Sequence, residues 1–180
     1  MPVMSNSLFA LLGLDKKLVE RKLERMKEPK ILAIDFDGCL TDDHVLVDAT
    51  GNEFVRVSRK DGLGASRLQA LGVTVVIVST EKNPVVSQRA RKMKVEARQG
   101  VQNKQKALSE FAESINIEIE NIWAIGNDVN DISLFEAASF TMCPKDSSVE
   151  IKAIANLTLP IKGGEGILNY LARILEVKHS

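Results

Sequence analysis

Two carboxylates two residues apart, Asp35 and Asp37, close the short apolar run Ile31–Ile34, and Gly38 follows at once. A run of that kind reads as a buried strand. Charges at the tip of a buried strand are costly unless something offsets them, and a divalent cation does so well. Side chains i and i+2 of an extended chain point the same way, so both carboxylates face one pocket while Gly38 lets the backbone turn aside. One carboxylate could attack a phosphorus atom while the other handles a proton. The same residues also suit a strand followed by an ordinary Asp-rich turn, and this segment alone does not separate the two readings.

An attack on a phosphate needs three further things: a holder for the phosphoryl oxygens, a counter-charge and a metal anchor. The run 73–78 ends in Ser79, Thr80, Glu81 and Lys82. A hydroxyl and the free N–H groups opening the next helix make a phosphate cradle there, although Ser79 or Thr80 could simply cap that helix. Lys104 opens a helix, where the dipole disfavours a cation. An anionic ligand would resolve the conflict; the alternative is a solvated surface lysine. The run Ile122–Ile125 leads into Gly126, Asn127, Asp128 and, three residues on, Asp131. Such oxygen donors suit Mg2+, or they form an Asx-rich turn that caps a helix. Arg59 and Arg89 could meet a substrate carboxylate or be solvated. Four segments, in order and all at carboxyl ends of strands, carry more weight together than any one of them.

The elements that must position these residues are apolar strands alternating with amphipathic helices from residue 30 onward. Strands are expected at Ile31–Ile34, 73–78, Ile122–Ile125 and Phe140–Cys143, with weaker ones near 95–97 and 157–159. Helices are expected over 62–71, 84–93, 103–114, 131–138, 147–155 and 166–177. This order specifies an α/β domain with a central parallel sheet covered on both faces, in which ligands bind beyond the carboxyl ends of the strands. Residues 44–57 interrupt the alternation and read as a β-hairpin, too small to be a lid domain. Residues 1–29 form a separate amphipathic helical extension, with Leu8, Leu11, Leu12, Leu18, Val19, Leu23 and Met26 at helical spacing. Residues 30–180 form the main domain.

Composition narrows the function classes. With 24 basic and 24 acidic residues among 180, the chain lacks the basic excess of a general nucleic-acid or anionic-membrane binder. Its two cysteines, Cys39 and Cys143, have neither metal-ligand spacing nor the number of a disulfide framework. No apolar run approaches about 20 residues, and the N-terminus lacks the pattern of a signal peptide. The expected compartment is the cytoplasm.

Together the four segments resemble the motifs of the haloacid dehalogenase superfamily of phosphatases, over residues 30–178. The hairpin in place of a cap domain resembles the capless subgroup. Within it the chain is similar to 3-deoxy-D-manno-octulosonate 8-phosphate phosphatases, to nonulosonate 9-phosphate phosphatases, and to the phosphatase-like domain of animal CMP-sialate synthetases. Shared details are Lys60-Asp61-Gly62, Gln99-Gly100-Val101 and Gly163-Gly164-Glu165-Gly166.

The resemblance implies a Rossmann-like fold and a Mg2+-dependent hydrolase of a sugar-acid phosphate, from sialic acid or octulosonate biosynthesis. Asp35 would form an aspartyl-phosphate, Asp37 would act as acid and base, Ser79 would hold phosphoryl oxygen and Lys104 would neutralise charge. Asp35, Asp37 through its carbonyl, and the 126–131 loop with Asn127, Asp128 and Asp131 would hold Mg2+. Thr80, Glu81 and Lys82, with Arg59 and Arg89, would meet the substrate. The family usually has Asp at position 127 and an Arg at position 169, where this chain has Asn127 and Asn169. Asn127 removes one negative charge from the metal site, so a weakly active or purely structural, oligomerising module is the alternative. Glu81 in place of the octulosonate enzymes' Arg favours a nine-carbon substrate. Capless relatives are tetramers, so a homotetramer is expected.

Overall fold

The computed structural model describes residue 26 and residues 29–178, so the helical extension expected over residues 1–29 lies almost wholly outside the described residues. β1 (Ile31–Ile34) leads through a single wide turn (Phe36–Leu40) into a hairpin of β2 (Thr41–Val47) and β3 (Glu53–Val57). There follow α1 (Arg59–Ala70), β4 (Thr74–Ser79), α2 (Val85–Met93), β5 (Glu96–Gln99) and α3 (Lys104–Ser114). The remainder is β6 (Ile122–Ile125), α4 (Ile132–Phe135), β7 (Phe140–Cys143), α5 (Val149–Ile154), β8 (Leu157–Thr158) and α6 (Ile167–Lys178). Six strands form one sheet in the order β5-β4-β1-β6-β7-β8, and every pair is parallel.

β1 lies between β4 and β6, with Ile34 opposite both Ile77 and Ile125. The chain winds outward from β1 to β4 and β5, then crosses to β6, β7 and β8 on the other side. That reversal opens a crevice at the carboxyl end of β1, where Asp35 stands.

Strand alternation divides the core into two layers. Leu32, Ile34, Val75, Ile77, Trp123 and Ile125 pack with Leu68 of α1, Val86 of α2 and Leu171 of α6. Ile31, Ala33, Val76, Val78, Ile122 and Ala124 pack with Leu108 and Phe111 of α3, Leu134 of α4 and Ile151 of α5. Burial on both faces is why these strands are continuously apolar, and each fully buried Ile or Leu contributes about 1.5–3 kcal/mol.

Two helices depart from the expected bounds. α1 starts at Arg59 rather than 62, because Ser58 Oγ accepts the Lys60 N–H at 3.2 Å; the cap outweighs the poor helix propensity of Gly62 and Gly64. Gly64 serves packing instead: a Cβ there would stand 2.1 Å from the Asn169 nitrogen, so the α1 and α6 backbones touch. α4 is shorter than the expected 131–138 and is preceded by a tight turn, Val129–Asp131. The chain must end it early, since the Ser139 N–H already donates to the Ile122 carbonyl at 2.9 Å on the way into β7. None of the described helices is long and apolar enough to cross a membrane.

Candidate active site

Lys104 is the first residue of α3, whose N-cap Asn103 accepts the Lys106 N–H at 2.9 Å. Its side chain is 1% exposed, and its Nζ donates to Asp35 Oδ1 at 2.7 Å and to Asp131 Oδ1 at 2.6 Å. The unfavourable helix-dipole position is thus offset by two buried carboxylates. Burial, then the nearby Asp131 charge, push the Asp35 carboxyl up to about 7 against the pull of Lys104. Burial pulls Lys104 down, but Asp35 and Asp131 outweigh it and the ammonium is held more firmly than usual.

The turn after Asp35 aims Asp37. Gly38 takes φ 70, a left-handed conformation favouring glycine, and its N–H donates to Thr41 Oγ1 at 3.1 Å. The Gly-rich segment before α6 backs this turn: Gly164 N–H donates to the Cys39 carbonyl at 3.0 Å, and a Cβ on Gly163 would stand 2.1 Å from the Gly38 oxygen. Burial, then the Glu81 and Asp43 charges, raise the Asp37 carboxyl above its ordinary value. A carboxyl so raised is suited to holding and releasing a proton.

Ser79 ends β4 almost completely buried. Its Oγ accepts the Glu81 N–H at 3.1 Å, and its carbonyl accepts the Val101 N–H at 3.1 Å, which ties the β4 loop to the segment before Lys104. Glu81 turns its carboxylate onto the Asn83 N–H at 2.6 Å. Thr80 and Lys82 are exposed on this loop.

Among the described residues no group of three His, Cys, Asp or Glu side chains is arranged to hold a metal; the oxygen donors here are of another kind. One end of the Asn127 side-chain amide lies 2.8 Å from the Asp37 main-chain oxygen and 3.3 Å from Asp131 Oδ2. With the amide oxygen at that end, three acceptors converge beside the Asp35 turn, an arrangement that a cation reconciles. Octahedral Mg2+ with ligands at about 2.0–2.1 Å sets adjacent oxygens about 2.9 Å apart, close to the Asn127–Asp37 separation. The Asp37 carbonyl and Asn127 therefore stand at a spacing that fits a small hard dication, with Asp35 two residues back along the same turn. Asp131 has both oxygens engaged, the second by the Asn127 N–H at 2.8 Å. Asp128 caps its own turn, with Oδ1 accepting the Val129 N–H at 2.7 Å.

Other expected residues have different surroundings. Arg59 and Arg89 line a cavity of about 310 Å³ between α1 and α2, with Leu63 and Lys92, and none of Asp35, Asp37, Ser79 or Lys104 lines it. The Arg89 guanidinium donates to the Ser58 carbonyl at 2.5 Å. Asn169 accepts from Arg67 at 3.0 Å within the α1–α6 contact. Sequence reasoning gave no role to Thr41 and Asp43; the Thr directly following the carboxylate turn was the available signal for the first, and nothing marked the second. Asp61, noted only as part of a shared motif, is buried and accepts the Leu168 N–H at 2.9 Å at the start of α6.

Residues 80–171 match the family model of haloacid dehalogenase-like hydrolases. The N-acylneuraminate cytidylyltransferase of Oncorhynchus mykiss is 28% identical over 145 residues, 78% of this chain and 32% of that one. The chain thus spans about a third of that relative's length. The 3-deoxy-D-manno-octulosonate 8-phosphate phosphatase of Haemophilus influenzae is 24% identical over 158 residues, covering 87% of this chain and 86% of the relative. Among solved structures, a haloacid dehalogenase family hydrolase assigned as such in Streptomyces avermitilis is 36% identical with TM-score 0.79, over 83% of this chain and 87% of the other.

Proposed function

The chain belongs to the haloacid dehalogenase-like hydrolases, as a phosphatase, and from that premise we propose that it removes phosphate from a phosphorylated keto sugar acid with the help of Mg2+. The observation that carries this reading is the buried Asp35 carboxylate at the tip of the central strand, held by Lys104.

In this reading an Asp35 oxygen bonds to phosphorus as the bond to the sugar oxygen breaks, and Asp37 gives its proton to that departing oxygen. Asp37 then takes a proton from a water molecule, which attacks the aspartyl-phosphate, and phosphate leaves with Asp35 restored. Ser79 and the N–H groups of the β4 loop hold the phosphoryl oxygens, and Lys104 keeps the nucleophile oriented and its charge balanced. A dication held by Asp35, the Asp37 carbonyl and Asn127 would supply charge stabilisation to the transferring group. The 126–131 loop gives that site its shape through Asp131.

The substrate class rests on the octulosonate phosphatase among the relatives and on Glu81. Glu81 helps raise the Asp37 carboxyl through its charge, and its carboxylate is held on the β4 loop by the Asn83 N–H. It occupies the place of an Arg in the octulosonate enzymes, which favours a nonulosonate 9-phosphate, with octulosonate 8-phosphate next. A homotetramer is part of the same reading: Leu46 and Phe54, paired across the hairpin, are 75% and 58% exposed, and such an apolar pair favours burial against a neighbouring copy. The test is phosphate release from a panel holding both sugar phosphates, with Asp35→Asn as control. Mg2+-dependent release by the wild type alone is expected; equal release by both proteins would overturn the assignment.

A further inference from the structure

Asn127 is held tightly on all sides. The residue is 9% exposed, and its backbone is pinned on both sides: the N–H donates to Asp131 Oδ2 at 2.8 Å and the carbonyl accepts the Ser148 N–H at 2.9 Å. The side-chain amide is clamped as well. One terminal atom meets the Asp37 carbonyl oxygen at 2.8 Å and Asp131 Oδ2 at 3.3 Å. The other abuts Gly38, where a Cβ would stand only 1.9 Å away. The remaining freedom is a half-turn of the amide plane, which exchanges oxygen and nitrogen at constant shape.

The two orientations serve opposite states. With the nitrogen inward, the amide donates to Asp37 O and to Asp131 Oδ2, and every polar atom at that end is paired. With the oxygen inward, three acceptors converge, which is favourable only around a cation. A carboxylate at position 127 has no donor to offer in either orientation, so it would leave the empty site repulsive.

We propose that Asn127 is a two-position latch: without a cation its NH2 group closes the 126–131 loop onto the Asp37 carbonyl, and cation binding requires the amide to turn its oxygen inward. The inference rests on the reading of a dication at this site. The latch makes the empty site self-sufficient and weakens cation binding, because the two hydrogen bonds must be given up first.

The test is NMR on protein with 15N-labelled asparagine, in EDTA and through a MgCl2 titration, together with melting curves of wild type and Asn127→Asp. In EDTA, the side-chain NH2 pair that is missing from Asn127→Asp should exchange with water roughly tenfold or more slower than an exposed amide. It should shift and lose that protection as magnesium binds. Asn127→Asp should melt below the wild type in EDTA, gain more from magnesium, and reach half-saturation at roughly tenfold lower concentration. An unprotected Asn127 amide in metal-free wild type overturns the latch, and that measurement does not depend on the variant folding. Magnesium raising the melting temperature while the Asn127 amide stays unmoved overturns the latch and leaves the cation reading intact. No magnesium response in either protein overturns both.

Discussion

Replacing Lys104 by Met removes the cation that stands between two buried carboxylates. Asp35 and Asp131 are 3% and 0% exposed and lie 2.7 and 2.6 Å from Nζ. Met keeps most of the side-chain volume, so the loss is electrostatic rather than a cavity. Asp131 keeps its bond from the Asn127 N–H, and Asp35 keeps its hydrogen bond from the Phe36 backbone. Breaking a buried pair in this way costs about 3–5 kcal/mol. At about 2–4 °C per kcal/mol for a chain of this size, that is a fall in Tm of about 6–20 °C. The assay is equilibrium unfolding in EDTA at pH 8, above the value of about 7 to which burial raises the Asp35 carboxyl when Lys104 is beside it. Adding Asp131→Asn to Lys104→Met should recover part of the loss, since one fewer charge is then stranded. A loss under about 1 kcal/mol, the size of an exposed pair, would refute the claim that these three side chains form a closed, dry cluster.

Three further outcomes follow from contacts around the site. Burial raises the Asp61 carboxyl from 3.8 to about 6, and its Oδ2 has no partner; the folded chain therefore binds this proton more tightly than the unfolded one. The resulting destabilisation is absent below about pH 4, develops between pH 4 and 6 and is complete above, reaching about 3 kcal/mol. Asp61→Asn keeps the acceptor for Leu168 N–H, so in urea unfolding the variant should gain on the wild type by up to that amount from pH 4 to pH 7; a flat difference contradicts the burial argument. Gly163→Ala sets a Cβ 2.1 Å from the Gly38 oxygen and 2.8 Å from the Thr41 oxygen, displacing the turn that carries Asp37; kcat should fall about a hundredfold with the circular dichroism unchanged, and an unaltered kcat would show that this backing is dispensable. For the proposed homotetramer, Leu46→Asp with Phe54→Ser should shift sedimentation to smaller species than the wild type, and an unmoved profile removes the hairpin from the proposed interface.

How much was legible in the sequence depended on whether the signal was local. β1, β6 and β7 fall at the expected bounds, because strands buried on both faces leave unbroken apolar runs. Lys104 announced itself through a conflict with the helix dipole. Its partners did not: Asp131 and Asp128 both read as oxygen donors on a loop, and only the folded chain shows Asp131 turned to the lysine and Asp128 turned to its own cap. The expected start of α1 at Gly62 passed over Ser58, whose side chain caps the helix three residues earlier, and the purpose of Gly64, close approach to α6, depends on residues a hundred positions away. The contact between Gly163 and Gly38 was invisible for the same reason. Arg59 and Arg89 read as substrate contacts on charge alone, and the folded chain places both on the cavity between α1 and α2.

The central claim is that Asp35 carries the phosphoryl group, and the most direct measurement is acid quenching during turnover followed by mass spectrometry of the peptide containing Asp35. With a sugar-acid phosphate and Mg2+, the wild type should show a transient phosphoryl adduct on Asp35. Asp37→Asn should accumulate it, since the proton acceptor for the hydrolytic water is gone, and Asp35→Asn should show none and release no phosphate. Turnover at the wild-type rate in Asp35→Asn, or an adduct on any other residue, would contradict the account.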